Sequence, residues 1–236
     1  MSCLMAMPVI CFRSCLLVFA LLLAGCASLP GGADPTSDAP EHRVAVSGGF
    51  TPAASYEEAL RMWRGAEEIN AWIGAKFEYD LQRAMRLSET QRSQSGSLPI
   101  HAPQTFFDEP AGICVDLSRF GVETLRAIAP ESKPAYVMIE FAPMAIAGNT
   151  LRLHWLVSFQ RDGRYYFFAD SKRPGFIAGP YESVAEFIAE YARYRGRDIV
   201  VHRQLESYQR RMRTMATRQV RTESQQVTPQ MNEHNK

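Results

Sequence analysis

Cys114, His154 and Asp170 occur in that order along the chain, and together they are the residue types of a thiol hydrolase. Thiol catalysis needs a sulfur available as thiolate, a base that exchanges protons with substrate and leaving group, and a third group that holds the base. Cys114 opens a run in which Leu117, Phe120, Leu125 and Ile128 recur at helical spacing, and the run stops before Pro130. The cysteine therefore stands at or near a helix N-terminus. There the dipole favours thiolate, and free N–H groups, that of Cys114 included, can face an oxyanion. Gly121 inside the run weakens the case for a regular helix.

His154 is the expected base and Asp170 its orienting partner, on two predicted strands, Leu151 to Gln160 and Arg164 to Asp170. The linker Arg161-Asp162-Gly163 reads as a three-residue hairpin loop with glycine at its left-handed last place. In that register His154 lies directly across from Asp170, with Cβ atoms about 5 Å apart. A two-residue turn on Asp162-Gly163 would instead set Trp155 opposite Asp170 and send the pair to different faces. The glycine favours the first register. Taken singly, each residue has a plainer explanation: a small buried thiol, a satisfied core histidine and a turn aspartate. Their order and compatible geometry weaken those explanations.

Large parts of the chain must serve to place these residues. Ser55-Tyr56-Glu57-Glu58 is a capping-box pattern, followed by Leu60, Trp63, Ile69, Trp72, Ile73 and Phe77 at helical intervals that mark core. A polar helical stretch, about Asp80 to Arg92, leads to a loop from Ser93 to Pro103. After the cysteine-bearing helix come a strand, Ala135 to Phe141, a loop, Ala142 to Thr150, and the two strands above. Apolar residues occupy both alternations of those two strands, so both faces are expected to be covered. Ser183-Val184-Ala185-Glu186 caps a further helix carrying Phe187, Ile188 and Tyr191, and Ile199 to Val201 suits a last strand. The fold class expected is α+β, with N-terminal helices packed on an antiparallel sheet.

The N-terminus reads as a targeting segment: Arg13 precedes a short apolar stretch, Leu16 to Leu23, and then Leu23-Ala24-Gly25-Cys26. This resembles the lipobox of bacterial lipoproteins, in which the chain is cut before the cysteine and its thiol is acylated. The resemblance implies a signal peptide over 1–25, a lipid on Cys26 and a flexible Pro-, Gly- and Ser-rich tether over 26–54. Ala27 stands where aspartate would retain a lipoprotein at the inner membrane, which implies the outer membrane, facing the periplasm. Of the five cysteines, three leave with the leader and Cys26 is consumed. Cys114 is then the one free thiol, and the mature chain has no internal disulfide.

The run Gly112-Ile113-Cys114-Val115-Asp116-Leu117 resembles the Gly-x-Cys-x-Asp helix start of transglutaminase-like domains. His154-Trp155, the turn Asp162-Gly163-Arg164 and Asp170 resemble their His-bearing strand, turn and Asp-bearing strand. The resemblance covers about residues 55 to 202, and the domain is drawn at 55–203. It implies a transglutaminase/papain-like core and a Cys114–His154–Asp170 triad. An upstream side chain, Tyr79 with Trp72 as runner-up, would help hold the oxyanion. Trp155 replaces the family's usual alanine, and Ser171-Lys172 its usual Pro-Thr, which bears on substrate fit. The activity implied is cysteine peptidase or amidase action on a protein or peptide of the cell envelope. Transglutaminase or deamidase chemistry, a papain-related cell-wall amidase, or a non-catalytic envelope module with this fold are the alternatives.

A formal net charge of +1 over 236 residues argues against nucleic acid as a partner. The five histidines lack ligand spacing, so neither metal nor cofactor is expected. The tail, 204–236, reads as polar and helical or disordered, and Arg210, Arg211 and Arg213 as a solvated helical end.

Overall fold

The computed structural model describes residues 37–41, 49–88, 98–146 and 148–209. Cys26, the leader, most of the expected tether and the chain beyond 209 lie outside the described residues. Helix α1 (Tyr56–Met62) begins where the capping pattern places it, with the Ser55 hydroxyl accepting from the Glu58 N–H at 3.2 Å. Helix α2 (Ala66–Lys76) leads into a two-residue strand, β1 (Glu78–Tyr79), and helix α3 (Leu81–Arg86) starts on an Asp80 cap. Order starts before Ser55: the Trp63 indole N–H donates to the Thr51 carbonyl at 2.9 Å, and Phe50 packs edge-on against Trp63.

The segment expected as a loop up to Pro103 instead gives way to a helix, α4 (Pro103–Asp108), opened by its proline. Strand β2 (Ala111–Gly112) then pairs in parallel with β1, setting Tyr79 beside Gly112. Helix α5 (Cys114–Ile128) runs unbroken with Cys114 as its first residue. Gly121 does not interrupt it, because it is where the helix meets the sheet. A Cβ there would lie 2.8 Å from a Val157 methyl and 3.3 Å from the Phe168 ring, so only glycine allows this approach.

Five strands follow, with one more helix between the last two: β3 (Ala135–Ile146), β4 (Asn149–Arg161), β5 (Arg164–Phe168), β6 (Ala178–Tyr181), α6 (Val184–Arg195) and β7 (Ile199–Leu205). The sheet order is β6-β5-β4-β3-β7, and every neighbouring pair is antiparallel. Strands β3 and β4 extend into the stretch from Ala142 to Thr150 that the sequence suggested as a loop. Strand β7 and Tyr208, which packs on Tyr136, carry order into the expected tail. Trp155, Val157, Phe159 and Phe168 pack with α2, α4 and α5 on one face, while Leu156, Val137, Ile139 and Phe167 meet Phe187 and Tyr191 of α6 on the other. The strands with apolar residues in both alternations are thus covered on both sides. No helix among the described residues is long and apolar enough to cross a membrane.

The hairpin register differs from the sequence expectation. Arg161 pairs with Arg164 and Val157 with Phe168, so the connection is the two-residue turn Asp162-Gly163. Both turn residues have positive φ, 50° and 74°. Such a turn matches the right-handed twist of the strands, and aspartate tolerates the left-handed conformation well enough to take its first place. The Asp-Gly dipeptide therefore outweighed the preference for glycine at the end of a longer loop.

A buried ion pair fixes the start of α5. Asp116 is fully buried and accepts from Arg83 Nε at 2.7 Å and Nη2 at 2.8 Å, from the His101 N–H at 2.8 Å and from the Ile113 N–H at 3.1 Å. It ties α3, the strand-free stretch before α4 and the turn into α5 to one carboxylate. Removing one partner of a buried pair strands the other charge in dry surroundings. Asp116→Ala is expected to destabilise the fold by about 3 kcal/mol, read from urea unfolding monitored by tryptophan fluorescence.

Candidate active site

Cys114 and His154 come from opposite faces of the sheet. Cys114 belongs to the core cluster around α5, whereas the His154 ring stacks on Tyr191 of α6, with centroids 5.7 Å apart and planes 14° from parallel. They meet beside a third group that the sequence did not suggest. The Cys114 sulfur, a His154 ring nitrogen and a carboxylate oxygen of Asp38 all lie within 4.8 Å of one another. Cys114, His154 and Asp170 are nearly or wholly buried.

The imidazole is hydrogen-bonded on one side and faces a charge on the other. Asp170 Oδ1 lies 3.2 Å from Nε2, whereas Asp38 Oδ2 lies 3.4 Å from Nδ1, an ion-pair contact that leaves Nδ1 without a hydrogen bond. The Tyr191 hydroxyl sits 2.9 Å from Nε2, donates to Asp170 Oδ1 at 3.1 Å and accepts from Arg195 Nη1 at 3.1 Å. Asp170 accepts in addition from the Lys172 N–H at 3.0 Å and from Arg173 Nε at 3.3 Å. Every polar atom around Nε2 thus has a partner, as buried polar groups require.

Asp170 reaches the ring by a route other than strand pairing. Continued past Phe168, the observed ladder would set Asp170 opposite Trp155. Instead β5 ends at Phe168, and Ala169 takes φ 59°, a left-handed conformation that turns the chain off the strand. The aspartate then opens a tight turn, with the Arg173 N–H donating to its carbonyl at 3.1 Å. The pairing of His154 with Asp170 follows from that turn, not from the predicted register.

The charge states follow from burial set against these neighbours. Burial alone would raise the Asp170 carboxyl, but the His154 hydrogen bond and charge, with Arg173 and Arg195 behind them, hold it down at about 2. Burial would likewise push the His154 imidazole down; the Tyr191 oxygen and the carboxylates of Asp38 and Asp170 outweigh it and hold the ring well above its ordinary value. Burial pushes the Cys114 thiol up, and the Asp38 carboxylate adds to that. His154 and a Trp155 backbone hydrogen bond oppose the rise without cancelling it. The helix N-terminus was expected to favour thiolate; in this arrangement desolvation wins, and the sulfur rests as a thiol.

No protein-family model matches the chain, and a search of curated proteins finds no match. Among solved structures the chain is similar to calcium-bound LapG of Legionella pneumophila, with a TM-score of 0.33 and 16% identity, over 58% of this chain and 62% of that one. The chain spans about three fifths of the length of the LapG chain it matches. The chemistry of the site follows from this chain's own residues.

The other expected residues fall on both sides of the boundary of the site. Tyr79, paired with Gly112 two residues before the cysteine, lies near Cys114 and Asp38; burial, then the Asp38 carboxylate, keeps its phenol protonated. Trp72 stacks between Phe107 at 5.1 Å and Phe120 at 4.8 Å and belongs to the aromatic core. Sequence reasoning missed Tyr191, Arg195 and Asp38. Tyr191 and Arg195 are one helical turn apart on α6, a spacing that in hindsight marks a shared face. Asp38 carried no signal, because it stands in a stretch whose composition reads as tether. The same three atoms of Asp38, Cys114 and His154 are the described residues' one grouping of metal-binding side chains. Their spacing is equally that of a proton-transfer cluster.

The depressed Asp170 carboxyl makes stability depend on pH. Its contribution is fully present above its ordinary value of 3.8 and is lost as pH falls through about 2. Asp170→Asn is expected to cost about 2 kcal/mol at pH 6, and the gap between parent and variant should close between about pH 4 and pH 2, measured by urea unfolding across that range.

Proposed function

We propose that the protein is a cysteine hydrolase of the cell envelope, acting on a protein or peptide amide and anchored by lipid on Cys26. The observation that carries this reading is the buried imidazole beside the only thiol of the described residues, with its far nitrogen fixed by Asp170. Support comes also from the order of the cysteine, histidine and aspartate motifs, which resembles that of transglutaminase-like domains. In this reading departure of Asp38 removes one of the charges that raise His154, and the neutral ring takes the thiol proton at Nδ1 as Cys114 Sγ attacks the carbonyl carbon. The Cys114 N–H at the start of α5 and the protonated Tyr79 phenol receive the oxyanion. His154 then passes the proton to the departing amine, leaving a thioester. Water, deprotonated by the same ring, attacks the thioester, and collapse of the second tetrahedral intermediate frees the acid and restores the thiol. Asp170 keeps the ring in one orientation and stabilises its charged form throughout. Tyr191 and Arg195 are positioning residues that hold Asp170 and the ring together.

Mass spectrometry of envelope proteins from parent and Cys114→Ala cells tests the reading. New peptide termini in the parent, absent from the variant, are expected; deamidated glutamines or isopeptide links instead would reassign the acceptor. No difference in any of these, with both proteins expressed, would overturn the hydrolase reading. On a cleaved substrate so found, Tyr79→Phe should lower kcat by about 10²-fold with little change in KM. For the anchor, Cys26→Ser should move the protein from the membrane fraction to the soluble fraction on cell lysis.

A further inference from the structure

Residues 37–41, far upstream of the first helix, lie against the centre just described. Asp38 Oδ1 accepts from Arg195 Nη2 at 2.8 Å, and the same nitrogen donates to the Ser37 carbonyl at 3.1 Å. The other oxygen of Asp38 faces Nδ1 of His154 at 3.4 Å. Three residues on, Glu41 Oε1 pairs with Lys172 Nζ at 3.2 Å. The stretch expected as solvated tether thus delivers two carboxylates to two cations of the folded domain.

Those cations are unusual in being dry. Arg195 is 0% exposed and Lys172 is 1% exposed, and cations so placed are costly without an anion against them. Arg195 has one nitrogen, Nε, with no hydrogen-bond partner. Its neighbours include more positive charge: Arg197, which feels Arg195 directly, and the raised His154. Arg173 is already committed to Asp170. The side of the site that meets residues 37–41 is therefore built to receive negative charge.

Asp38 stands in the way of the proposed reaction. A carbonyl under attack must lie between Sγ of Cys114 and Nδ1 of His154, and the Asp38 carboxylate is within 4.8 Å of both. Bound substrate and bound Asp38 exclude each other. When the segment leaves, Arg195 and Lys172 lose these carboxylates. An entering peptide relieves that cost best if it brings carboxylates of its own.

We propose that Arg195 and Lys172 form a subsite for the carboxylates of an acidic peptide substrate, and that Asp38 and Glu41 of this chain fill it in the resting protein, with Asp38 reaching further, into the place of the scissile carbonyl. The proposal rests on the hydrolase reading for the word substrate, but not for the occupancy. Lys172 is thereby a specificity-determining residue. Residues 37–41 act as an intramolecular competitor, which any true substrate must outbid.

Alkylation of Cys114 tests this without requiring turnover. The full chain is treated with iodoacetamide, and the modified Cys114 peptide is quantified by mass spectrometry over time. The double variant Asp38→Ala/Glu41→Ala is expected to react at least ten-fold faster than the parent. A synthetic pentapeptide of residues 37–41, Ser-Asp-Ala-Pro-Glu, should slow that reaction in the double variant; Ser-Asn-Ala-Pro-Gln should not. Adding Lys172→Gln to the double variant should weaken protection by the acidic peptide several-fold. An unchanged alkylation rate in the double variant would overturn the occupancy. Equal protection by the acidic and amide peptides, or by neither, would overturn the subsite, and a merely loosened fold would give that indifference. A lack of dependence of alkylation on His154, tested with His154→Ala in the double variant, would instead count against the hydrolase reading and leave the occupancy standing.

Discussion

A histidine with no exposure to solvent must be compensated by its neighbours, and much of this structure answers that demand. Asp170 accepts at Nε2, and the Asp38 carboxylate stands 3.4 Å from Nδ1. Each carboxylate brought into the interior needs its own compensation, and Arg173, Arg195 and the Tyr191 hydroxyl supply it. That explains why Arg195, at the end of α6, is buried rather than directed to water. It also explains why the turn after β5 is held by side-chain and backbone donors at once.

Two buried charge clusters position the two reacting groups independently. Asp116 and Arg83 hold the first turn of α5, and with it Cys114, against α3 and the chain before α4. The Asp170 cluster holds His154 against α6 on the other face of the sheet. Gly121 lets α5 press directly onto Val157, so the helix and the central strand bring the two groups together at close range. Such double anchoring keeps the thiol and the imidazole within 4.8 Å of one another, the proximity on which a thiol reaction builds. The cost of that enclosure is a thiol held above its ordinary value. Opening the site to substrate, with departure of Asp38, removes one of the causes that raise it.

Several elements were legible because their signals are local. The Ser55 and Ser183 caps begin helices as written, and α5 starts at the cysteine. The double alternation of apolar residues in β4 and β5 marked a sheet covered on both sides. The hairpin register was not legible in the same way. Two turn types compete for Arg-Asp-Gly, and a single residue of slip decides which side chains share a face. The contact of His154 with Asp170 forms in spite of the other register only because Ala169 leaves the strand in a left-handed conformation. No sequence rule assigns that conformation to alanine.

What the sequence by itself determined is the set of candidate groups: one thiol at a helix start, a histidine on a strand of a hairpin, an aspartate just beyond the partner strand, and Tyr79 upstream of the cysteine. Short-range physics, namely helix capping, periodicity and turn propensity, is enough for that. The tertiary structure alone decided the charge state of the thiol, the role of Tyr191 and Arg195, and the presence of Asp38 at the imidazole. These depend on burial and on contacts between residues up to 158 positions apart, and desolvation in a closed site can reverse what a helix dipole favours. A stretch that composition alone marks as tether becomes part of the site when the domain offers it two buried cations.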